Sequence, residues 1–230
     1  KSEKAGIDLG LVDFATLFDS ALLDDNEQVS GEHEHPVHSR TIPNPRHLRK
    51  AEKRLRRLQR RLSRCQKGSK GYEKVKRLLA RQHEKAANQR RDFQHKQSRS
   101  LVERYGLMCF ENLNVAGMLK NHRVAKSIAD AAWGAFVRQC EYKGKWYGCR
   151  IQKVGRFFPS SKLCSACGEI HQTLKLSERK WICAGCGTIH RRDLNASQNI
   201  LVEGLRLLNS STVGATGIDA GGESVRPELV

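Results

Sequence analysis

The sequence lacks any apolar run close to the ~20 residues needed to span a bilayer, which argues against a membrane helix and a membrane partner. It also has few cysteines for a disulfide scaffold, with eight in 230 residues. The four without regular spacing are Cys65, Cys109, Cys140 and Cys149. We interpret them as reduced thiols of an intracellular, cytoplasmic protein. An initiating methionine is missing and Lys1 leads almost directly into a strand, so we expect a fragment or a trimmed chain.

Acidic residues are scarce in one part of the chain. Residues 46–104 contain 22 basic and 5 acidic residues, a net charge of +17, whereas the whole chain carries +18. Such a concentration of positive charge favours a polyanionic partner. A solvated coiled coil is the alternative, but its like charges would repel one another without phosphates nearby.

Two short cysteine motifs are the most specific local signal. Cys164 and Cys167 precede a glycine, and so do Cys183 and Cys186, with 15 residues (168–182) between the motifs. This spacing is typical of a four-cysteine zinc ribbon, in which the following glycine can adopt a positive φ. Four thiolates leave Zn²⁺ no open position, so the predicted zinc is structural.

The remaining pattern predicts alternating strands and helices. Residues 5–9 and 14–18 read as a hairpin, 107–110 and 149–154 as strands, and 193–208 as a final amphipathic helix. Asn44 and Pro45 predict the start of a helix, and a second helix follows over about 72–105. Together these two helices are expected to form an antiparallel hairpin with basic outer faces. One further helix is expected over about 124–147.

Three carboxylates occupy the ends of predicted elements. Asp8 lies in a short apolar strand, Glu111 ends a second one, and Asp193 begins the last helix. Each has an ordinary alternative, as a turn residue, an exposed strand end or a helix cap. Mg²⁺ prefers carboxylate and water ligands, and the order of these three along the chain is that of an RNase H-like nuclease.

The chain resembles the TnpB (OrfB) family of insertion sequences, whose members are often described as transposases. It is also similar to the RuvC domains of type V CRISPR effectors. The matching segments are residues 6–10 (GIDLG), 110–114 (FENLN), 127–134 (SIADAAWG), 156–164 (RFFPSSKLC) and 192–196 (RDLNA). The resemblance implies an α/β fold, an RNase H-like (RuvC) mixed sheet with an inserted antiparallel helical hairpin and an inserted four-cysteine zinc ribbon.

The resemblance also implies an RNA-guided, metal-dependent DNA endonuclease that leaves 5′-phosphate and 3′-hydroxyl ends. It implies that two Mg²⁺ or Mn²⁺ ions are held by Asp8, Glu111 and Asp193, and that Zn²⁺ is held by the four cysteines. The expected partners are a DNA target and a guide RNA, in a prokaryotic, nucleoid-associated setting; the oligomeric state stays open. Family members usually carry a further N-terminal region, and often an acidic residue where Arg191 stands. We expect Arg191 not to remove activity, because the catalytic position itself is intact; whether the chain acts without the N-terminal region stays open.

These interpretations divide the chain into six parts: residues 1–45 with the first strands and an acidic loop, 46–106 with the basic hairpin, 107–159 continuing the RuvC core, 160–190 with the zinc ribbon, 191–209 with the final helix, and 210–230 as a flexible tail. The residues expected to contact nucleic acid are Arg54, Arg57, Arg61, Lys74 and Arg81.

Weaker features are assigned as follows. Ser160, Ser161 and Lys162 either contact phosphate or form a plain loop. Asn112, Asn114 and Asn195 are expected to orient the carboxylates, and Trp133, Trp146 and Trp181 to pack in the core or the ribbon. The histidines of residues 32–38 are not expected to bind a metal.

Three other functions stay open at the level of the sequence. The chain could be a guide-dependent DNA-binding protein that no longer cuts, although such a protein has no need of three neighbouring carboxylates. It could also be a transposase that joins DNA strands, since RNase H-like folds serve that chemistry too. A bare zinc-ribbon adaptor would leave most of the chain unexplained.

Overall fold

The computed structural model describes residues 1–19, 39–175 and 177–213. The strands among them are β1 (Lys4–Leu9), β2 (Asp13–Asp19), β3 (Ser39–Pro43), β4 (Leu107–Phe110), β5 (Arg150–Lys153), β6 (Lys180–Ile182) and β7 (Ile189–Arg191). The helices are α1 (His47–Ser63), α2 (Lys70–Arg104), α3 (Val115–Met118), α4 (Ala125–Ala131), α5 (Trp133–Tyr147) and α6 (Arg192–Val213).

Five strands form one mixed sheet in the order β3-β2-β1-β4-β5. β1, β2 and β3 are antiparallel neighbours, whereas β4 and β5 run parallel to β1. A parallel connection needs a long crossover, and α1 and α2 lie within the crossover from β3 to β4. The short strands β6 and β7 form a separate antiparallel pair.

Each face of the sheet buries its own apolar cluster. On one face Ile7 and Phe110 pack with residues of α2, α4 and α5, among them Phe136. On the other face the cluster includes Cys109 of β4 and Ile200 of α6. Because side chains alternate along a strand, β1 contributes apolar residues to the first face and Gly6 and Asp8 to the second.

α1 and α2 are long, basic and mutually packed. Ser69 begins α2 as an N-cap, since its hydroxyl accepts a hydrogen bond from the Tyr72 backbone N–H at 3.1 Å. Leu55 of α1 and Val75 of α2 are buried, while most of the charged side chains face solvent. The predicted boundaries of the two helices are correct to within about three residues.

The start of α1 differs from the expectation. Asn44 is not the N-cap: its side chain accepts from the Arg46 backbone N–H at 3.2 Å and donates to the Leu11 carbonyl at 3.0 Å. The helix begins at His47, after Arg46 in a left-handed conformation with φ 50°. The Asp130 carboxylate, remote in sequence, accepts the free Leu48 N–H.

The single helix expected over about 124–147 is wrong, because the chain breaks at Ala132 with φ 50°. Gln94 of α2 donates to the carbonyls of Ala131 and Ala132 at 2.8 and 3.1 Å. The Ala131 carbonyl, which the break leaves without a helical partner, is thereby satisfied, whereas the Ala132 carbonyl also accepts from the backbone N–H groups of Ala135 and Phe136.

Two further differences concern single features. β3 was missed because Ile42 is the only buried residue of this edge strand. Trp133 and Trp181 are buried as expected, but Trp146 is 70% exposed and makes an edge-on ring contact with Tyr142.

The acidic loop, the histidines of residues 32–38 and most of the predicted tail lie outside the described residues. In the described part of the chain, no helix is long and apolar enough to cross a membrane.

Candidate active site and metal centre

Asp8 and Glu111 occupy adjacent positions at the same edge of the sheet. Ile7 of β1 pairs with Phe110 of β4 in parallel register, and each is followed by one of the two acidic residues. Neighbouring strands lie ~4.8 Å apart, so the register places the Asp8 backbone beside that of Glu111.

Asp193 reaches the same region because α6 crosses β1 at close range. Gly6 has no side chain, and a Cβ at this position would meet the Ser197 carbonyl and the Leu201 backbone. Asp8 is two residues further along the same face, and Asp193 is one helical turn before Ser197. The distance from Gly6 to Asp8 along β1 and the distance from Ser197 to Asp193 along α6 are both about 6 Å. The start of α6 therefore lies near Asp8.

The electrostatics of Asp8 reflect this proximity. Its pKa is raised to about 8, first by burial and then by the negative charges of Glu111 and Asp193, whereas Arg192 and Arg179 lower it. Burial also raises the pKa of Glu111. The site therefore brings together like charges that repel one another, an arrangement that a bound cation would relieve.

Glu111 and Asp193 have hydrogen-bonding partners of their own. Ser160 donates to Glu111 at 2.9 Å, which lowers the pKa that burial raises. The carboxylate of Asp193 forms ion pairs with Arg179 at 3.1 Å and with Arg192 at 3.2 Å. Two guanidinium groups thus occupy carboxylate oxygens of Asp193 that a metal ion would otherwise use.

The four motif cysteines converge as the spacing predicts. The Sγ atoms of Cys164, Cys167, Cys183 and Cys186 all lie within 4.8 Å of one another. Two of the separations are 3.6 Å (Cys164 to Cys186) and 3.5 Å (Cys167 to Cys183). Tetrahedral ligation with Zn–S bonds of ~2.3 Å places sulfur atoms about 3.8 Å apart, so this donor set fits Zn²⁺.

Each cysteine motif forms the same turn. The N–H of Gly168 donates to the Cys164 carbonyl, and the N–H of Gly187 donates to the Cys183 carbonyl, both at 2.9 Å. The two glycines have φ values of 80° and 73°, as predicted. These are left-handed conformations that a side chain disfavours.

The interior of the ribbon is small and aromatic. Trp181 is buried with Cys164 and Cys183 and lies beside His190, with ring centroids 4.6 Å apart. Nε2 of His190 is 3.0 Å from Sγ of Cys164, so an imidazole approaches the cysteine cluster. Hydrogen bonds from Thr188 lower the pKa of Cys186 to about 6, which favours its thiolate form.

Among the described residues, these four cysteines form the only group of three or more His, Cys, Asp or Glu side chains whose ligand atoms lie close enough together to hold a metal ion. Asp8, Glu111 and Asp193 do not form such a cluster, and the carboxylate of Asp193 faces Arg179 at 3.1 Å.

Sequence reasoning missed Asn199 and assigned other polar residues to the wrong task. Asn195 and Asn199 of α6 donate to the Leu163 carbonyl at 2.7 Å each, which ties α6 to the first cysteine motif. Asn114 caps α3 through Gly117 instead of orienting a carboxylate. Asn199 lies one helical turn after Asn195 and therefore on the same face of α6. This i, i+4 spacing of two asparagines directly after the cysteine motifs is the signal that could have indicated a shared contact.

The loop of Ser160 and Lys162, for which phosphate contact and a plain loop were both open, makes contacts within the chain. Ser160 is buried against Glu111, and Lys162 donates to the Gln172 carbonyl at 3.2 Å. The predicted nucleic-acid contacts, in contrast, are all exposed on the two basic helices: Arg54, Arg57, Arg61, Lys74 and Arg81.

Comparison with known proteins agrees with this architecture. Residues 1–122 match the model of the OrfB_IS605 family, described as “Probable transposase”. Residues 133–200 match the Cas12f1-like TNB domain.

Curated relatives are similar over most of the chain. A “Putative RNA-guided DNA endonuclease” of Streptomyces pristinaespiralis is 41% identical over 187 residues, 81% of this chain and 44% of the relative. The endonuclease InsQ of Escherichia coli, described in the same words, is 31% identical over 88% of this chain and 49% of its own length. The chain thus spans about half the length of these relatives.

Two solved structures share the fold. A Cas12f1–sgRNA–target DNA complex matches with a TM-score of 0.57 at 18% identity, over 87% of this chain and 50% of the other. A CRISPR–Cas12f ternary complex matches with a TM-score of 0.62 at 20% identity, over 87% of this chain and 38% of the other.

Proposed function

The chain belongs to the OrfB_IS605 (TnpB) family, and on that basis we propose that it is the nuclease part of an RNA-guided, metal-dependent DNA endonuclease. One observation carries the proposal: Asp8, near the end of β1, lies beside Glu111, which directly follows the parallel strand β4, and burial together with the charges of Glu111 and Asp193 raises the pKa of Asp8. Three carboxylates held together at such a cost are typical of a cation site.

Asp8, Glu111 and Asp193 would hold the catalytic Mg²⁺ or Mn²⁺. When bound, the ions would supply a water nucleophile and stabilise the leaving oxygen of a phosphodiester. The role of the protein is positional. Ser160 orients Glu111 through its hydrogen bond. The close contact of Gly6 with α6 sets the distance between α6 and β1, and hence the position of Asp193 relative to Asp8. Arg179 and Arg192 neutralise the charge of Asp193 while no cation is bound.

The topology supports an RNase H-like core of RuvC type. The order β3-β2-β1-β4-β5, with β1 to β3 antiparallel and β4 and β5 parallel to β1, is that expected of the fold. In this interpretation α1 and α2 form the inserted hairpin between β3 and β4. Residues 160–190 form the zinc ribbon inserted between β5 and α6.

The basic helices would bind nucleic acid. Their exposed cations, among them Arg54 and Lys74, suit the phosphate backbone and carry no base selectivity. A structurally similar protein, Cas12f1, was determined with sgRNA and target DNA. We therefore propose a guide RNA and a DNA target as partners of the whole protein.

The decisive test is metal binding at the carboxylates, because it requires no guide. Crystals soaked in Mn²⁺ should show anomalous signal at Asp8, Glu111 and Asp193, and Asp8→Asn should remove it. Asp92→Asn, which removes a carboxylate from the exposed surface of α2, is the matched control. Mn²⁺-dependent cutting of labelled DNA, with 5′-phosphate ends, should be lost in the same variant and kept in the control.

Two results would contradict the proposal. Manganese absent from all three carboxylates would leave a nucleic-acid-binding protein without a nuclease centre. Cutting that persists in Asp8→Asn would assign the chemistry to other residues.

DNA strand transfer is the second candidate, favoured by the description of the matching family as a transposase. It uses the same carboxylates but a 3′-hydroxyl nucleophile in place of water. Joined DNA products in the cutting assay would support it, whereas 5′-phosphate ends without joined products would support hydrolysis.

A further inference from the structure

A groove of about 510 Å³ lies between the β1–β2 turn, the first turns of α1 and the segment that leads into α4. Its walls carry five cationic side chains, Arg46, Arg49, Arg56, Arg123 and Lys126, and two carboxylates. The volume is in the range of pockets that bind small molecules or single groups of a polymer.

Both carboxylates of the groove are already engaged. Glu52 forms ion pairs with Arg56 and Lys126, each at 2.6 Å, and the hydrogen bonds from Lys126 and Arg56 lower its pKa to about 2. Both oxygens of Asp130 accept the bifurcated hydrogen bond donated by the Leu48 N–H, and Asp130 lies 3.9 Å from Arg90. Neither carboxylate is therefore available to the remaining cations of the groove.

Two guanidinium groups are left over. Arg46 donates to the Val12 carbonyl at 3.3 Å, but Arg49 and Arg123 make no side-chain hydrogen bond or ion pair within the described residues. Both are exposed and lie on different walls of the groove. Exposed guanidinium groups that converge on one space are suited to bidentate binding of a phosphate.

The backbone at the base of the groove is held in an uncommon conformation. Arg46 has φ 50°, a left-handed value that costs a non-glycine residue about 1 kcal/mol. The side chain of Asn44 fixes this turn through the Arg46 N–H. The position of α1 relative to the β1–β2 turn is thus set locally.

The groove adjoins the candidate active site. Leu11 on its wall follows Asp8 by three residues, which span at most about 11 Å.

We propose that this groove binds the phosphate backbone of the strand that crosses the carboxylates, through Arg49 and Arg123. The identity of the strand rests on the proposed function, whereas the phosphate binding does not. Arg49 belongs to the basic helix α1, but the predicted nucleic-acid contacts of the two basic helices, Arg54, Arg57, Arg61, Lys74 and Arg81, do not line this groove.

The test compares two variants of the complete chain, each lacking two positive charges. Arg49→Gln with Arg123→Gln removes the proposed contacts, and Arg138→Gln with Lys145→Gln removes equally exposed charges of α5. Binding of a short fluorescein-labelled single strand is followed by anisotropy across a potassium chloride series, without divalent metal. DNA and RNA of the same sequence are used in parallel to distinguish target from guide.

The groove variant should bind about tenfold more weakly, and its salt slope should fall by about 1.4, since each single-strand phosphate contact contributes ~0.7. The control variant should bind with the slope of the parent chain. The strand should also protect Arg49 and Arg123 from phenylglyoxal, as read by mass spectrometry.

Equal slopes for the two variants, or unprotected Arg49 and Arg123, would overturn the proposal. If inorganic phosphate or a mononucleotide protects Arg49 and Arg123 from phenylglyoxal as well as the strand does, the groove is a small-anion site and the proposal of strand binding is wrong. Because no divalent metal is present, failure of the nuclease assignment leaves this result unaffected. Equal salt slopes for the two variants, with manganese found at the carboxylates in the separate crystal soak, would reject the groove and leave the proposed function standing.

Discussion

The Ser197 carbonyl of α6 occupies the space that a Cβ on Gly6 of β1 would need. This contact lets the last helix lie directly on the first strand, so that Asp193 reaches Asp8. A glycine in a strand interior commonly marks a close approach of another backbone, which is its role here.

Gly6→Ala adds only one methyl group, but it should lower both the stability of the fold and the affinity of the carboxylates for Mn²⁺. The added methyl group must push α6 away from β1, at a cost of about 1–3 kcal/mol in the free energy of unfolding. Urea denaturation measures this loss, and Mn²⁺ titration should show weaker binding. Gly155→Ala is the control, because its Cβ would meet nothing within 4 Å; an equal loss in both variants would contradict the argument.

Asp8→Asn should stabilise the protein while metal is absent from the carboxylates. The folded-state pKa of Asp8 is about 8, well above its ordinary value, so at neutral pH the folded chain holds a proton that the unfolded chain releases. Taking up this proton on folding costs free energy, and the cost grows as the pH rises from the unfolded-state pKa toward 8. Removing about 1 kcal/mol of this cost raises Tm by about 2–4 °C in a chain of this size.

Calorimetry with and without Mn²⁺ checks this prediction. Manganese should raise the Tm of the parent chain and leave that of Asp8→Asn unchanged. Asp92→Asn, on the exposed surface of α2, should keep both the parent Tm and the response to manganese. A lower Tm for Asp8→Asn would show that the carboxylate stabilises the fold.

Local sequence pattern was sufficient to predict the elements that carry the candidate site. β1 and β4 are short apolar strands that each lead to one acidic residue, and the predicted bounds of β4 are correct. The pairing of Ile7 with Phe110 could not be read from local pattern. It depends on a connection of about 100 residues and on packing against helices from elsewhere in the chain.

The features that were missed depend on partners remote in sequence. The break at Ala132 is stabilised by Gln94, and the start of α1 is capped by Asp130. Asn199 contacts the cysteine motif only because α6 packs beneath it. Helix propensity cannot indicate such contacts, since tertiary hydrogen bonds decide them.

Phe157 and Phe158 should differ sharply in their contribution to stability. Phe157 is 91% exposed, whereas Phe158 packs against the apolar cluster beneath α6. Phe157→Ala should change the free energy of unfolding by no more than about 0.5 kcal/mol. Phe158→Ala should lower it, by less than the ~3–5 kcal/mol of a fully buried phenylalanine. Urea denaturation of the two single variants measures the difference, and equal losses would contradict the described packing.

Zinc should be bound by the cysteine motifs and by no other cysteine. Cys164→Ser and Cys183→Ser should remove one zinc per chain, as measured by elemental analysis, because both sulfur atoms belong to the cluster. Cys65→Ser is the matched control, since Cys65 lies at the end of α1. Full zinc content in either motif variant would contradict the assignment.

Loss of zinc should also weaken metal binding at the carboxylates. Asn195 and Asn199 tie the first cysteine motif to α6, and Arg179 of the ribbon lies 3.1 Å from Asp193. Because outer partners of metal ligands typically change affinity by ~10–100-fold, Mn²⁺ affinity should fall about tenfold in Cys164→Ser. Unchanged affinity would mean that the ribbon and the carboxylates are independent, and that packing of α6 on β1 alone positions Asp193.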